Sequence, residues 1–224
     1  MKMKMIALAG VATLALAGPA VASDAHGWYL GLGAGWDSMG NFEITQFGDT
    51  YKVHTSSSVL FVGAVGYRFM DRIRLEGEFG YDRHSVHGFV DGDDVSGHVT
   101  IKSAMLNAAY DTQLSKKWDF TLGAGIGWGQ GGGEFRYTDD GYPDGSLSQE
   151  RDGYIWQVMA GFAYSISDNV DLTLDYRYRS LTINKCYGFG GRDGGCTDGE
   201  GFHVKNVNEQ VAMTRVFIHD AADR

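Results

Sequence analysis

Eight times after residue 27 the chain alternates apolar side chains with small or polar ones at a period of two. That is the pattern of a strand whose two faces meet different surroundings. In the first run Trp28, Leu30, Leu32, Ala34 and Trp36 share one face, and Tyr29, Gly31, Gly33 and Gly35 the other. The second carries Val59, Phe61, Val65, Tyr67 and Phe69 in phase, with Arg68 opposed. The third sets Ile73, Leu75, Phe79 and Tyr81 against Arg74, Glu76, Glu78 and Asp82. A fourth, less regular, covers about 98–111 with Ala104, Leu106, Ala108 and Tyr110 as its apolar face.

The fifth run repeats the design of the first, with Trp118, Phe120, Leu122, Ala124, Ile126 and Trp128 against Thr121, Gly123, Gly125, Gly127 and Gly129. In the sixth, Tyr154, Trp156, Val158, Ala160, Phe162 and Tyr164 oppose Gln157, Met159, Gly161 and Ser165. The seventh opposes Val170, Leu172, Leu174, Tyr176 and Tyr178 to Asp171, Thr173, Asp175, Arg177 and Arg179. The eighth, roughly 207–218, has Val211, Met213 and Phe217 in phase, and its outward face is read from them.

The connections between runs alternate strictly in length. Those around 70–72, 112–117 and 167–169 are short, and those at about 38–56, 83–97, 130–152 and 182–206 are long. An up-and-down barrel in an outer membrane has an even number of strands, short periplasmic turns and longer external loops. The pattern therefore predicts an all-β fold: an eight-stranded antiparallel transmembrane barrel over 23–218, both ends periplasmic, with 219–224 as a short tail.

Two further features separate this barrel from a soluble sandwich. Arg68, Arg74, Glu76, Glu78, Asp175, Arg177 and Arg179 lie opposite the aromatic faces, where a narrow lumen would let them pair as a charge network. Aromatics also mark the ends of the apolar faces, and Trp28, Trp36, Trp118, Trp128, Tyr154 and Tyr164 are read as girdle residues. Ten residues separate Trp118 from Trp128 and Tyr154 from Tyr164. At about 3.3 Å per residue and a tilt of about 40°, that spans roughly 25 Å along the membrane normal, the height of the apolar band.

The N-terminus reads as an export signal. Lys2 and Lys4 precede an apolar run from Met5 to about Ala17, Pro19 breaks any helix, and Ala20-Val21-Ala22 supplies a cleavage pattern. Residues 1–22 are accordingly assigned to a signal peptide. Export makes a disulfide the natural reading for Cys186 and Cys196, the two cysteines of the chain; a metal-binding thiol pair is the rival. With 28 acidic against 19 basic residues the net charge is −9, which argues against nucleic acid as a partner.

Motifs for chemistry are few. The glycines of 31–35 and 123–129 miss the dinucleotide fingerprint, because Trp36 and Trp128 stand where its third glycine belongs. His84, His87 and His98 flank the second long connection near Asp82, Asp91, Asp93 and Asp94, but their spacing is no recognised ligand motif. No nucleophile motif and no paired acid and base emerge, so no catalytic, cofactor-binding or metal residue is assigned, and the chain reads as a non-enzyme. The acidic residues of the long connections, among them Asp139, Asp140, Asp144, Glu150, Asp193, Asp198 and Glu200, lack a complete calcium-loop pattern. They suit a hydrated crown that shares divalent cations with lipopolysaccharide.

Several stretches resemble the OmpA-like and opacity-type outer-membrane barrel proteins of Gram-negative bacteria, often called surface antigens. They are Val65-Gly66-Tyr67-Arg68-Phe69, 104–111, Gly123-Ala124-Gly125-Ile126-Gly127, and 167–172 running into Asp175-Tyr176-Arg177-Tyr178. The resemblance covers essentially the whole mature chain. It implies a non-catalytic integral barrel whose loops contact the outside world, and it offers no active site to carry over. Two departures stand out: members usually end on an aromatic residue, whereas Phe217 is followed by seven more residues, and Arg215 falls in phase with an outward Phe217.

Three functions fit in descending order: a structural and interaction barrel serving envelope integrity, adhesion or host contact; a narrow porin for ions or small solutes; and a lipid- or peptide-cleaving enzyme. The partners expected are outer-membrane lipids and lipopolysaccharide, with host or environmental ligands at the loops. A barrel that satisfies its own backbone is expected to be monomeric.

Overall fold

The computed structural model describes residues 27–40, 42–46, 49–69, 72–90, 93–139, 142–187 and 202–219. The signal segment 1–22, Cys196 and the tail beyond 219 lie outside the described residues. Ten strands follow one another: β1 (Gly27–Met39), β2 (Phe42–Gln46), β3 (Asp49–Thr55), β4 (Ser58–Phe69), β5 (Ile73–Val90), β6 (Asp93–Ser115), β7 (Trp118–Asp139), β8 (Tyr142–Ser167), β9 (Val170–Tyr187) and β10 (Phe202–His219).

Eight of them are staves. β1 pairs with β4, each of β4 to β9 pairs with the next stave, and β10 returns to β1 over Tyr29↔His219 to Met39↔Glu209. Every pairing is antiparallel, and the wall is closed. Closure removes the sheet edges, the one way a β structure can sit in lipid without stranding backbone polar groups. The remaining two strands form a hairpin within the first long connection. It leans on β10 at Thr45↔His203 and on β5 at His54↔His87 and Thr55↔Val86, so the wall continues above the rim.

The segments read from sequence as loops at 83–97 and 130–152 carry strand ladders instead. β5 and β6 stay paired out to Val90↔Asp93, and β7 and β8 to Asp139↔Tyr142. The residues between these ladder ends are Asp91-Gly92 and Asp140-Gly141, the dipeptide that favours tight hairpins. Above the membrane neither face must be apolar, so the ribbon continues without the alternation that reveals a strand. The short turn expected over 112–117 likewise shrinks to 116–117.

The outward faces of seven staves are those of the alternation, and Leu32, Phe79, Leu106, Ile126 and Leu174 all exceed half exposure. The eighth stave is the exception. Val211, Met213, Arg215 and Phe217 are all buried inside, while Ala212 and Ile218 are exposed on the outer face. The outward assignment of Phe217 and Arg215 is thus reversed.

The reason is on the neighbouring stave. β1 presents Gly31, Gly33 and Gly35 to the lumen, and the large side chains of β10 fill the room those glycines leave. A Cβ on Gly33 would collide with Cγ of Arg215 and stand 2.9 Å from the carbonyl oxygen of Thr214. Gly33→Ala is therefore expected to cost about 1–3 kcal/mol through overpacking, read as a lower urea midpoint of the barrel in detergent. Gly77→Ala, where the nearest atom is 3.8 Å away, serves as the tolerant control.

Candidate functional site

The lumen is the candidate site, because strand parity delivers charged side chains to it from most of the wall. β5 supplies Arg74, Glu76, Glu78, Asp82 and His84 at every second position except Gly80. From β9 come Asp171, Asp175, Arg177 and Arg179, and from β10 Glu209, Arg215 and His219. Arg68, Asp37 and Asp111 complete the set, and all of these are buried.

They sort into three layers along the barrel. Near the short-turn end Arg74 Nε lies 2.6 Å from Asp111 Oδ2, and Arg68 Nη2 lies 3.4 Å from Asp171 Oδ2. His219 Nε2 is 2.8 Å from that same oxygen, and Thr121 donates to Asp111 at 2.7 Å. Two arginines here answer two aspartates. The Arg74 guanidinium also lies 5.0 Å from the Phe217 ring centre, close enough for a cation–π contact.

In the middle layer Arg177 Nη1 bridges both oxygens of Glu78 at 2.9 and 2.8 Å. Arg215 reaches Asp175 through Nε at 2.7 Å and Glu76 through Nη1 at 2.9 Å. Tyr29, Asn107 and Gln157 donate to the two glutamates, which satisfies their remaining lone pairs. Such saturation is what lets ion pairs persist away from water.

The third layer lies toward the long hairpins. Arg179 Nη1 sits 3.4 Å from Asp82 Oδ2 and 3.1 Å from Glu209 Oε2. His84 points Nε2 at Asp37 Oδ2, 3.2 Å away, and at Asp82 Oδ1, 3.5 Å away. Above this layer the lumen turns apolar. Met39, Val86, Ile101, Ile155, Leu181 and Val207 pack as one buried cluster across it.

All seven charges singled out in the sequence face this lumen. Asp37, Asp82, Asp111, Asp171, Glu209 and Arg215 stand there too, and parity alone could have found most of them. Asp37 continues the phase of Tyr29, Gly31, Gly33 and Gly35, and Asp82 and Asp171 sit in phase with their neighbours. The three histidines do not converge: His84 is fully buried, whereas His87 and His98 are exposed on the other face.

On the outside, Trp118 and Tyr164 are cross-strand partners at one end of the β7–β8 pair, with ring centres 5.0 Å apart. Trp128 and Tyr154 are partners ten residues further along the same pair, 5.9 Å apart. Trp28 joins the first level through Tyr67 at 5.3 Å, and Trp36 is exposed one residue before Asp37. Cys186 pairs through its backbone with His203, and its sulfur chemistry depends on residues outside those described.

A model of the outer membrane protein beta-barrel domain matches residues 6–208. The chain belongs to that family. It is an outer-membrane protein, and the closed antiparallel wall is the family's architecture. Among curated sequences it is 28% identical over 205 residues to an uncharacterized protein of Brucella abortus, covering 75% of this chain and 72% of that one. Among solved structures it is similar to the outer membrane protein OprG of Pseudomonas aeruginosa, with a TM-score of 0.57 at 14% identity, covering 89% of this chain and 100% of the other. Neisserial surface protein A aligns with a TM-score of 0.51 at 16% identity, covering 86% and 97%. These two likenesses speak for the fold alone.

Proposed function

We propose that this family member is a non-catalytic surface barrel whose lumen is shut and whose long connections meet the medium, serving adhesion, envelope integrity or host contact. The observation that carries the reading is the filled lumen. Arg177, Glu78, Arg215 and Asp175 interlock at its centre, each at most 2% exposed, and an apolar layer lies across the wider strand ends above them. A solute path would require those pairs to part and that layer to open. The short turns then face the periplasm and the ribbons of β5–β6 and β7–β8 extend outward, where their acidic residues meet lipopolysaccharide through shared divalent cations.

Two measurements test this. Purified protein in a planar bilayer is expected to show no steady conductance, and large, stable channels would replace the closed-barrel reading with a porin. Replacing residues 88–95 by Asn-Gly joins His87 to Ser96, which already face each other in register. The shortened barrel is expected to keep its heat-modifiable gel mobility while cells displaying it adhere less. Unchanged adhesion after each ribbon is shortened in turn would remove the loops from the function.

A further inference from the structure

We propose that Asp37, Asp82, His84 and Glu209 form a buried binding site for one divalent transition-metal ion of the zinc class. One ligand atom from each lies within 4.8 Å of the others, and all four side chains are at most 1% exposed. The site draws on three staves. Asp82 and His84 are two apart on β5 and so share its inner face, Asp37 comes from β1, and Glu209 comes from β10.

Three independent features point to a cation. The first is charge. The layer near the short turns balances two arginines against two aspartates, while here Arg179 and the imidazole of His84 face Asp37, Asp82 and Glu209. With His84 neutral, as a metal ligand must be, two negative charges remain, the complement of one divalent ion.

The second is unmet acceptors. Among the described residues Glu209 is the buried carboxylate with neither oxygen accepting a hydrogen bond, although Arg179 stands 3.1 Å from one of them. Asp37 Oδ1 also lacks a donor, and Asp82 Oδ1 has only His84 Nε2 nearby, at 3.5 Å. Buried acceptors without donors cost on the order of 1–3 kcal/mol each, more when charged.

The third is the imidazole's orientation. His84 Nδ1 donates to the backbone carbonyl of Ser56 at 2.9 Å. That hydrogen bond assigns one proton to Nδ1. In the metal-free protein Nε2 also donates, to Asp37 Oδ2 at 3.2 Å. An ion that displaces that second proton meets an Nε2 lone pair already aimed among the carboxylates, the arrangement typical of metal-ligating histidines.

One imidazole and three carboxylates suit a four-coordinate ion with bonds of about 2.0–2.2 Å. Calcium takes six to eight oxygens, and magnesium keeps several waters, which suits neither the donor set nor the apolar roof over it. The site holds whatever the external segments contact.

The test loads zinc while the barrel forms, because the roof blocks later entry. Protein refolded into detergent with zinc chloride, then equilibrated against a weak chelator, is assayed for metal by mass spectrometry. About one zinc per chain is expected. Asp37→Asn, His84→Ala and Glu209→Gln are each expected to lower that at least tenfold, while His87→Ala and His98→Ala leave it unchanged. Cobalt in place of zinc is expected to give the intense visible absorption of a tetrahedral site. Heat-modifiable mobility verifies that each variant is folded; should His84→Ala not fold, His84→Gln, which keeps a donor to Ser56, replaces it. Folded protein without zinc, or zinc retained at full level by the three ligand variants, overturns the proposal.

Discussion

Arg215→Met is expected to destabilise the barrel by about 3–5 kcal/mol, the usual consequence of removing one partner from a buried charge network. Arg215 holds Asp175 at 2.7 Å and Glu76 at 2.9 Å, and also stands 3.7 Å from Glu78. Without it Arg177 is left to answer three carboxylates. Neither water nor an exposed conformer offers relief, because every group is enclosed. The measurement is the urea midpoint of the heat-modifiable band in lipid vesicles. Pairing the change with Asp175→Asn should return part of the loss, since an amide in place of the stranded carboxylate lowers the desolvation penalty. Equal midpoints for wild type and Arg215→Met would mean that the network contributes nothing to the fold.

Leu122→Lys is the second large effect. Leu122 is 53% exposed on the outer face of β7, near the middle of the run between Trp118 and Trp128. A cation at mid-depth of a barrel's lipid face costs about 2–4 kcal/mol, falling toward zero near the interfaces. The same change at Glu134, beyond Trp128 on the same strand, is expected to be nearly silent. A matching loss at both positions would place the apolar band somewhere other than between the two tryptophans. Folding free energies in vesicles decide it.

These two sites also show what the sequence made legible. Leu122 is readable because lipid demands an apolar residue at every second position, and Trp118 and Trp128 bracket the run. Arg215 is not, because the lumen makes no uniform demand. It accepts Phe217 and Met213 beside Arg215 where β1 offers only glycines, so the apolar phase of β10 points inward and imitates a lipid face. The long ribbons escaped notice because polar residues on both faces erase the alternation.

The candidate metal cluster lay still further from view. Parity places Asp37, Asp82, His84 and Glu209 inside, but their meeting depends on the closure of β10 against β1 and on β4 carrying β5 round to the same level. Spacing along the chain carries no trace of that.

The way the ring closes has a bearing on how the molecule is made. Its central ion pairs join residues far apart in the chain, Glu78 to Arg177 and Glu76 to Arg215, 99 and 139 positions apart. A sheet lacking its last stave would carry Glu76 and Asp175 into the membrane without the arginine that neutralises them. Partly inserted forms are thereby penalised, and the staves gain most of their electrostatic stability in the final step. Assembly of this wall should accordingly be cooperative and governed by the arrival of its C-terminal strand.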